Sequence, residues 1–208
     1  MLLHSYVGAP IGAVCYLVGD ETSGEALAID APGGAACWAA ETAERLGLRL
    51  GLLVLTHGHW DHIIDAAAFQ SVLGAKVAIH AADAPLVRQP STAPFELPLT
   101  VAPCEPDRLL FEGEALAIGS LQALVLETPG HTPGCVCLHL PTAEALFSGD
   151  TLFAAGMGRT DLPGGDEQRI AQSLGRLAAL PSHTRVYPGH GPATTIAAER
   201  WLANYLNA

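Results

Sequence analysis

Short apolar runs and segments of helical composition take turns along the chain. Residues 14–18 and 26–29 are apolar, and Gly19-Asp20-Glu21-Thr22-Ser23-Gly24 between them is a hairpin-like break, so two paired strands are predicted. Residues 35–46 have helical composition and stop at Gly47. Residues 51–55 form an apolar run, read as a buried strand that delivers Thr56 and His57 at its end. A helix is predicted from Asp61 or His62 to about Leu73, stopped by Gly74. A strand at 76–79 and a short helix at 81–87 follow. Residues 88–107 are rich in Pro, Ser and Thr; strand signals resume directly afterwards, which marks a surface excursion.

Four more strands are predicted at 109–118, 121–126, 136–140 and 145–147. A glycine-rich loop at 156–165, a helix at 167–179, a strand at 185–187 and a terminal helix at 194–206 complete the chain. The order of elements repeats one architecture in two halves, with no visible sequence repeat. Helices outside and two sheets inside predict an α/β fold, a four-layer αββα sandwich, as a single domain over residues 1–208.

Composition narrows the function. Half of the 208 residues are hydrophobic, enough for a sizeable core, while only 15% are charged and the formal net charge is −11. That acidity argues against nucleic acid, which wants a basic face, and against an anionic membrane surface. No apolar run approaches the length that spans a bilayer. The five cysteines form no C-x-x-C pair, and the N-terminus reads as strand rather than signal peptide. A reducing cytoplasm with free thiols is the expectation. Cys135 and Cys137 read as strand residues rather than a ligand pair.

The chemistry concentrates in Thr56-His57-Gly58-His59-Trp60-Asp61-His62, followed by His131 in TPGHTPG, Asp150 in FSGDT and His190 in YPGHGP. Imidazoles and carboxylates clustered at loop positions are what a divalent metal needs. His57 and His59 are two apart, so in extended chain they project to one side and can share a metal. Asp61 and His62 are adjacent at a helix start, project differently and suit a second metal. Asp150 is the candidate bridge, with His131 and His190 completing one site each. Two metals sharing a water lower its pKa toward neutrality, which makes a Ser or Cys nucleophile unnecessary.

Together, THGHWDH, TPGHTPG, FSGDTLF, GMGRTDLPGGD and VYPGHGPATTI make the chain resemble the metallo-β-lactamase superfamily over nearly its whole length. Within it the chain looks most like the short bacterial branch of the glyoxalase II-type hydrolases. The resemblance implies that His57, His59 and His131 bind one metal and Asp61, His62 and His190 the other, with Asp150 bridging. Zinc is usual in the superfamily; iron or manganese occurs in glyoxalase II relatives. It implies a small-molecule thioester substrate such as S-D-lactoylglutathione, attacked by the bridging hydroxide, with Asp61 orienting that hydroxide or taking its proton. The runner-up that the resemblance allows is a mononuclear-iron persulfide dioxygenase, which shares the Gly158-Arg159-Thr160-Asp161 stretch.

Several residues keep two readings. Arg159 meets a glutathione carboxylate or pairs with Asp161 or Asp166. Asp30 orients a ligand histidine or caps the next turn. Trp60 lines the pocket or packs on the following helix. His4, His80, His139 and His183 are read as structural or solvated. The resemblance to full-length glyoxalase II carries one expected departure: after Thr194-Thr195-Ile196, the extra helical region that supplies much of the glutathione site there is expected to be missing here. Ile63-Ile64-Asp65 also replaces the usual small residues. The identity of the thiol portion and the oligomeric state stay open.

Overall fold

A computed structural model of the chain describes residues 1–95 and 97–206. The first sheet carries β1 (Leu2–Val7), β2 (Val14–Gly19), β3 (Glu25–Ile29), β4 (Arg49–Val54), β5 (Lys76–His80) and β6 (Arg108–Leu110), in that order across the sheet. Its helices are α1 (Ala35–Leu46), α2 (Trp60–Ile63), α3 (Ala66–Ser71) and α4 (Ala84–Arg88). The second half supplies β7 (Ala115–Ile118), β8 (Leu121–Glu127), β9 (Val136–Leu140), β10 (Ala145–Gly149), β13 (Arg185–Pro188) and β14 (Thr194–Thr195), ordered β14-β13-β10-β9-β8-β7. A small hairpin of β11 (Leu152–Phe153) and β12 (Gly156–Met157) and helix α5 (Glu167–Ala178) lie between β10 and β13 in sequence.

The layers follow from strands that bury both faces. All six residues of β2 are buried, and the strand alternates between two cores. Val14, Tyr16 and Val18 face the second sheet and meet Leu116, Val125, Leu138 and Phe147. Cys15 faces the other way, among Ala35, Ala39, Ile63 and Phe69 of the helical layer. Outside the second sheet, Ile170, Leu174 and Leu177 of α5 cover Cys137, Leu146 and Val186. The result is the four-layer αββα sandwich. Among the described residues, no helix is long and apolar enough to cross a membrane.

Three elements differ from their sequence reading. The helix expected up to Leu73 is broken at Ile64-Asp65. Ala31 N–H takes the His62 carbonyl, the Asp65 N–H turns to Ala31 O, and the Asp65 carboxylate accepts Ala36 N–H at the start of α1. The expected strand 109–118 is two strands in different sheets. Glu114 N–H closes a turn on Phe111 O, with Gly113 at φ +75°, and the chain crosses from β6 to β7 there. The expected helix 194–206 begins instead as strand, with Val186 opposite Thr194 and Arg185 opposite Thr195, and ends as a 3-10 helix, Arg200–Tyr205. Glu199 holds that departure, accepting from Thr194 Oγ1, Ala155 N–H and Trp201 Nε1. Smaller shifts are a start at Ala84 for α4 and an end at Ala178 for α5.

Candidate metal centre

Every candidate donor follows a strand. Thr56 to His62 leave the end of β4, Asp30 the end of β3, His131 follows β8, Asp150 follows β10 and His190 follows β13. β3 and β4 run parallel, as do β10 and β13, so their loops emerge at one edge. Val14 N–H bonds Gly189 O and joins the loop of one sheet to a strand of the other. Gly149 makes the turn into Asp150 at φ +47°; a Cβ there would stand 2.5 Å from Thr56 Oγ1.

Three donor groups form, each with its ligand atoms within 4.8 Å of one another: His57, His59 and His131; His57, His62 and Asp150; Asp61, His62 and His190. His59 Nδ1 faces His131 Nε2 at 2.8 Å, and His62 Nε2 faces His190 Nε2 at 3.2 Å. The Asp150 carboxylate lies between the groups, Oδ1 3.3 Å from His62 Nε2 and Oδ2 3.5 Å from His131 Nε2. His57 Nε2 and Asp150 Oδ1 are buried and have no hydrogen-bond partner. Buried polar atoms are nearly always paired. Two such orphans and two pairs of facing ring nitrogens fit a cation.

The outer atoms set which nitrogens carry lone pairs. His131 Nδ1 lies 2.7 Å from the Arg159 carbonyl, which only accepts, so Nδ1 holds the proton and Nε2 is free to donate a lone pair. Asp30 does the same for two rings. Its Oδ2 accepts from His62 Nδ1 at 2.9 Å and from Thr56 Oγ1 at 2.9 Å. With its own proton spent on Asp30, Thr56 Oγ1 accepts from His57 Nδ1 at 3.1 Å. In rings that carry a single proton, the state a bound cation would impose on His62, both inward Nε2 atoms are thereby lone-pair donors. Asp30 is held by Thr56 N–H at 2.7 Å and takes φ +60° to reach this position. It supports the histidines, the first of the two readings its sequence allowed.

Burial dominates the protonation of the rings. It pushes His57 well below the ordinary imidazole range, and His62, His59 and His131 add repulsion. His59 falls to about 4, through burial first and then the charge of His131 and His62. His62 goes the other way. Burial pulls it down, but Asp150, Asp61 and Asp30 outweigh that and raise it well above the usual value. Asp61 and Asp150 stay ionised although burial opposes charge, because His62 and its histidine neighbours lower both, Asp61 far below the usual carboxylate range. A cluster this anionic at its floor takes positive charge.

A cavity of about 540 Å³ opens over the donors, bounded by His59, Asp61, His131, Asp150 and His190. Trp60 and Arg159 are on its wall. Trp60 is also buried in the helical-layer core, so both of its readings hold. Arg159 pairs with Asp161 through Nε at 2.6 Å and Nη2 at 2.7 Å, the loop ion pair rather than a free cation. Cys135 meets Thr132 and Cys137 meets Thr128, and neither cysteine belongs to a donor group among the described residues. His80 pairs with Glu127 and the exposed His183 with Glu144.

Asp83 was not visible in the sequence as a site residue. It is fully buried, and its carboxylate accepts from Gly58 N–H at 2.8 Å, Thr132 Oγ1 at 2.6 Å and Gly134 N–H at 2.8 Å. It ties the His57–His59 loop to the His131 loop. Locally, Ala82-Asp83-Ala84-Pro85 signals a helix start and nothing more.

The chain is similar to known proteins in sequence and in fold. A protein of Aquifex aeolicus is 37% identical over 202 residues, covering 96% of this chain and 94% of its own length. A hydroxyacylglutathione hydrolase of Cereibacter sphaeroides is 41% identical over 175 residues; the match covers 84% of this chain but 61% of that hydrolase. Among solved structures, the BLEG-1 B3 metallo-beta-lactamase superposes with a TM-score of 0.89 at 32% identity over the full length of both chains. TTHA1623 in a di-iron-bound form has a TM-score of 0.84 at 36% identity, covering 94% and 96%. ETHE1 from Myxococcus xanthus has 0.80 at 27% identity, covering 98% and 85%. The metallo-beta-lactamase superfamily model matches residues 9–190, and the chain belongs to that superfamily.

Proposed function

We propose that the chain is a binuclear metallohydrolase, a thioesterase of the hydroxyacylglutathione hydrolase type acting on S-D-lactoylglutathione or a related thioester. The observation that carries this reading is the Asp150 carboxylate set between two histidine-rich groups, with one oxygen unpartnered. His57, His59 and His131 would hold one divalent ion, and Asp61, His62 and His190 a second, with Asp150 serving both. Nitrogen and carboxylate donors suit zinc, iron or manganese. Such a pair of ions supplies a hydroxide at neutral pH and positive charge for a developing oxyanion.

The chain's own groups do the rest. Asp61 stays ionised, and its Oδ2 lies 3.0 Å from His190 Nε2 at the cavity floor, where it can orient a water or hold its proton. Asp30 and the Arg159 carbonyl hold three rings in the donor tautomer. The hydrolase name carried by several relatives supports the thioester class. Five free thiols fit a cytoplasmic setting.

Metal analysis joined to a thioester hydrolysis assay tests the proposal. Two metals per chain are expected, with S-D-lactoylglutathione or another thioester cleaved and kcat at least about 100-fold lower in Asp61→Ala. Metal-replete protein that hydrolyses no thioester sinks it. One iron per chain with oxygen uptake on glutathione persulfide would establish the dioxygenase reading instead.

A further inference from the structure

We infer that the site selects thioesters with a neutral thiol portion and an apolar arm over those of glutathione. This rests on the hydrolase reading above and narrows its substrate class. The cavity over the donors is walled by Ile11, Leu86, Phe95, Phe153, Met157 and Leu162. They come from separate places: the β1–β2 loop, α4, the 88–107 excursion, the β11–β12 hairpin and the loop after it. Four of them stand exposed, Ile11 at 57%, Leu86 at 38%, Phe95 at 47% and Met157 at 41%. Single exposed apolar side chains are ordinary, but four from distant segments meeting at one mouth form a patch with a purpose. Each is held open to water where a bound apolar chain would cover it.

Charge points the same way. Glutathione carries two carboxylates and one ammonium, so its recognition calls for free cations. Among the described residues that line the cavity, Arg159 is the one permanently charged cation. Its Nε and Nη2 both face the carboxylate of Asp161, which offsets its charge at the mouth. Beneath lie Asp61 and Asp150, within a chain of net charge −11. The two metals of the proposed function would offset Asp61 and Asp150, so the discrimination lies at the mouth: two glutathione carboxylates find there a single guanidinium already shared with Asp161, and a neutral arm needs none.

The test uses non-hydrolysable thioethers, so that binding is read apart from catalysis. Metal-loaded protein is titrated by calorimetry with S-alkyl-N-acetylcysteamines of two to eight carbons and with S-hexylglutathione. Affinity is expected to rise about twofold to fourfold per methylene, the worth of a partly to fully buried CH₂. S-hexylglutathione is expected to bind no more tightly than S-hexyl-N-acetylcysteamine. Ile11→Ser and Phe95→Ser alter exposed side chains and should flatten the chain-length series. A series that is flat in the unaltered protein overturns the inference, as does at least tenfold tighter binding of S-hexylglutathione. Thioethers that bind in the expected order to a protein that cleaves no thioester would sink the hydrolase reading while leaving the apolar site standing.

Discussion

Asp30 Oδ2 lies 2.9 Å from His62 Nδ1, on the side of the ring away from the donor nitrogen. The same oxygen takes the Thr56 hydroxyl proton, and through Thr56 it sets His57 as well. One carboxylate therefore fixes two rings that belong to different donor groups. In Asp30→Asn, the carbonyl oxygen is expected to keep Thr56 N–H and to leave an amide N–H₂ facing His62. His62 then accepts at Nδ1 and carries its proton inward at Nε2, where a cation should be. Metal affinity should fall about 10- to 100-fold, with the fold retained. Competition with a chromophoric chelator measures it; wild-type affinity for both metals would refute the tautomer argument.

Asp83 acts on the backbone. Its removal in Asp83→Ala strands the Gly58 and Gly134 N–H groups, both buried, without acceptors. Each buried donor left unpaired costs roughly 1–3 kcal/mol, so the two together are expected to cost about 2–6 kcal/mol. Gly134 tolerates no bulk here, since an added Cβ would lie 2.6 Å from Asp83 Cγ. Urea unfolding monitors the stability, and metal titration should show the His57–His59–His131 group weakened more than its neighbour. A loss confined to stability, with both affinities intact, would make Asp83 structural only.

The contrast between Asp83 and the donors explains what could be read from the chain. His57 closely follows an apolar run, and His131, Asp150 and His190 each follow an apolar run and a glycine, so local pattern placed them at one edge. The two-core alternation of β2 is equally local. Asp83 acts 49 residues away on Thr132 and 51 on Gly134, and no periodicity reports such a bond. The break at Asp65 has the same origin: its carboxylate serves Ala36, 29 residues earlier. At Gly113 the chain reads as continuous strand on both sides; only the tertiary packing decides that β6 and β7 pair in different sheets. Arg159 has both of its candidate partners nearby in sequence, and geometry selected Asp161.

Metal removal should destabilise the fold. A ligand present at 100 times its dissociation constant stabilises by about 2.7 kcal/mol per site, so two sites contribute roughly 5 kcal/mol. For a chain of this size that is about 10–20 °C in Tm. Thermal melts with and without a strong chelator read the shift, and zinc or iron added back should restore it. An unchanged Tm would mean that the buried donor groups bind no metal tightly.

Protonation of the metal-free protein separates two histidines three residues apart. His59 is lowered to about 4 by burial and by its histidine neighbours, whereas His62 is raised because three carboxylates outweigh its burial. In NMR titrations after chelation, the His59 ring should titrate near pH 4, and the His62 ring should remain charged at neutral pH. The consequences for stability have opposite signs. A lowered folded-state pKa means that the folded protein binds fewer protons than the unfolded chain between about pH 6.5 and 4. Stability is then lost as pH falls through that window. His62 has the opposite linkage: its contribution is fully present below about pH 6.5 and is lost only as pH rises through its folded value. Asp61 and Asp150, held low, contribute nothing to the slope until the pH falls toward the ordinary carboxylate range. The slope between pH 6.5 and about 5 therefore belongs to the lowered histidines, His57 and His59, joined by half-buried His139, and below that the lowered carboxylates, Glu105 and Glu199 first, add to it with the same sign. His59 alone accounts for up to about 3 kcal/mol. Urea melts of the chelated protein at pH 7 and pH 4.5 should show the loss; stability that is flat or rising on acidification would contradict the assigned environments of these rings.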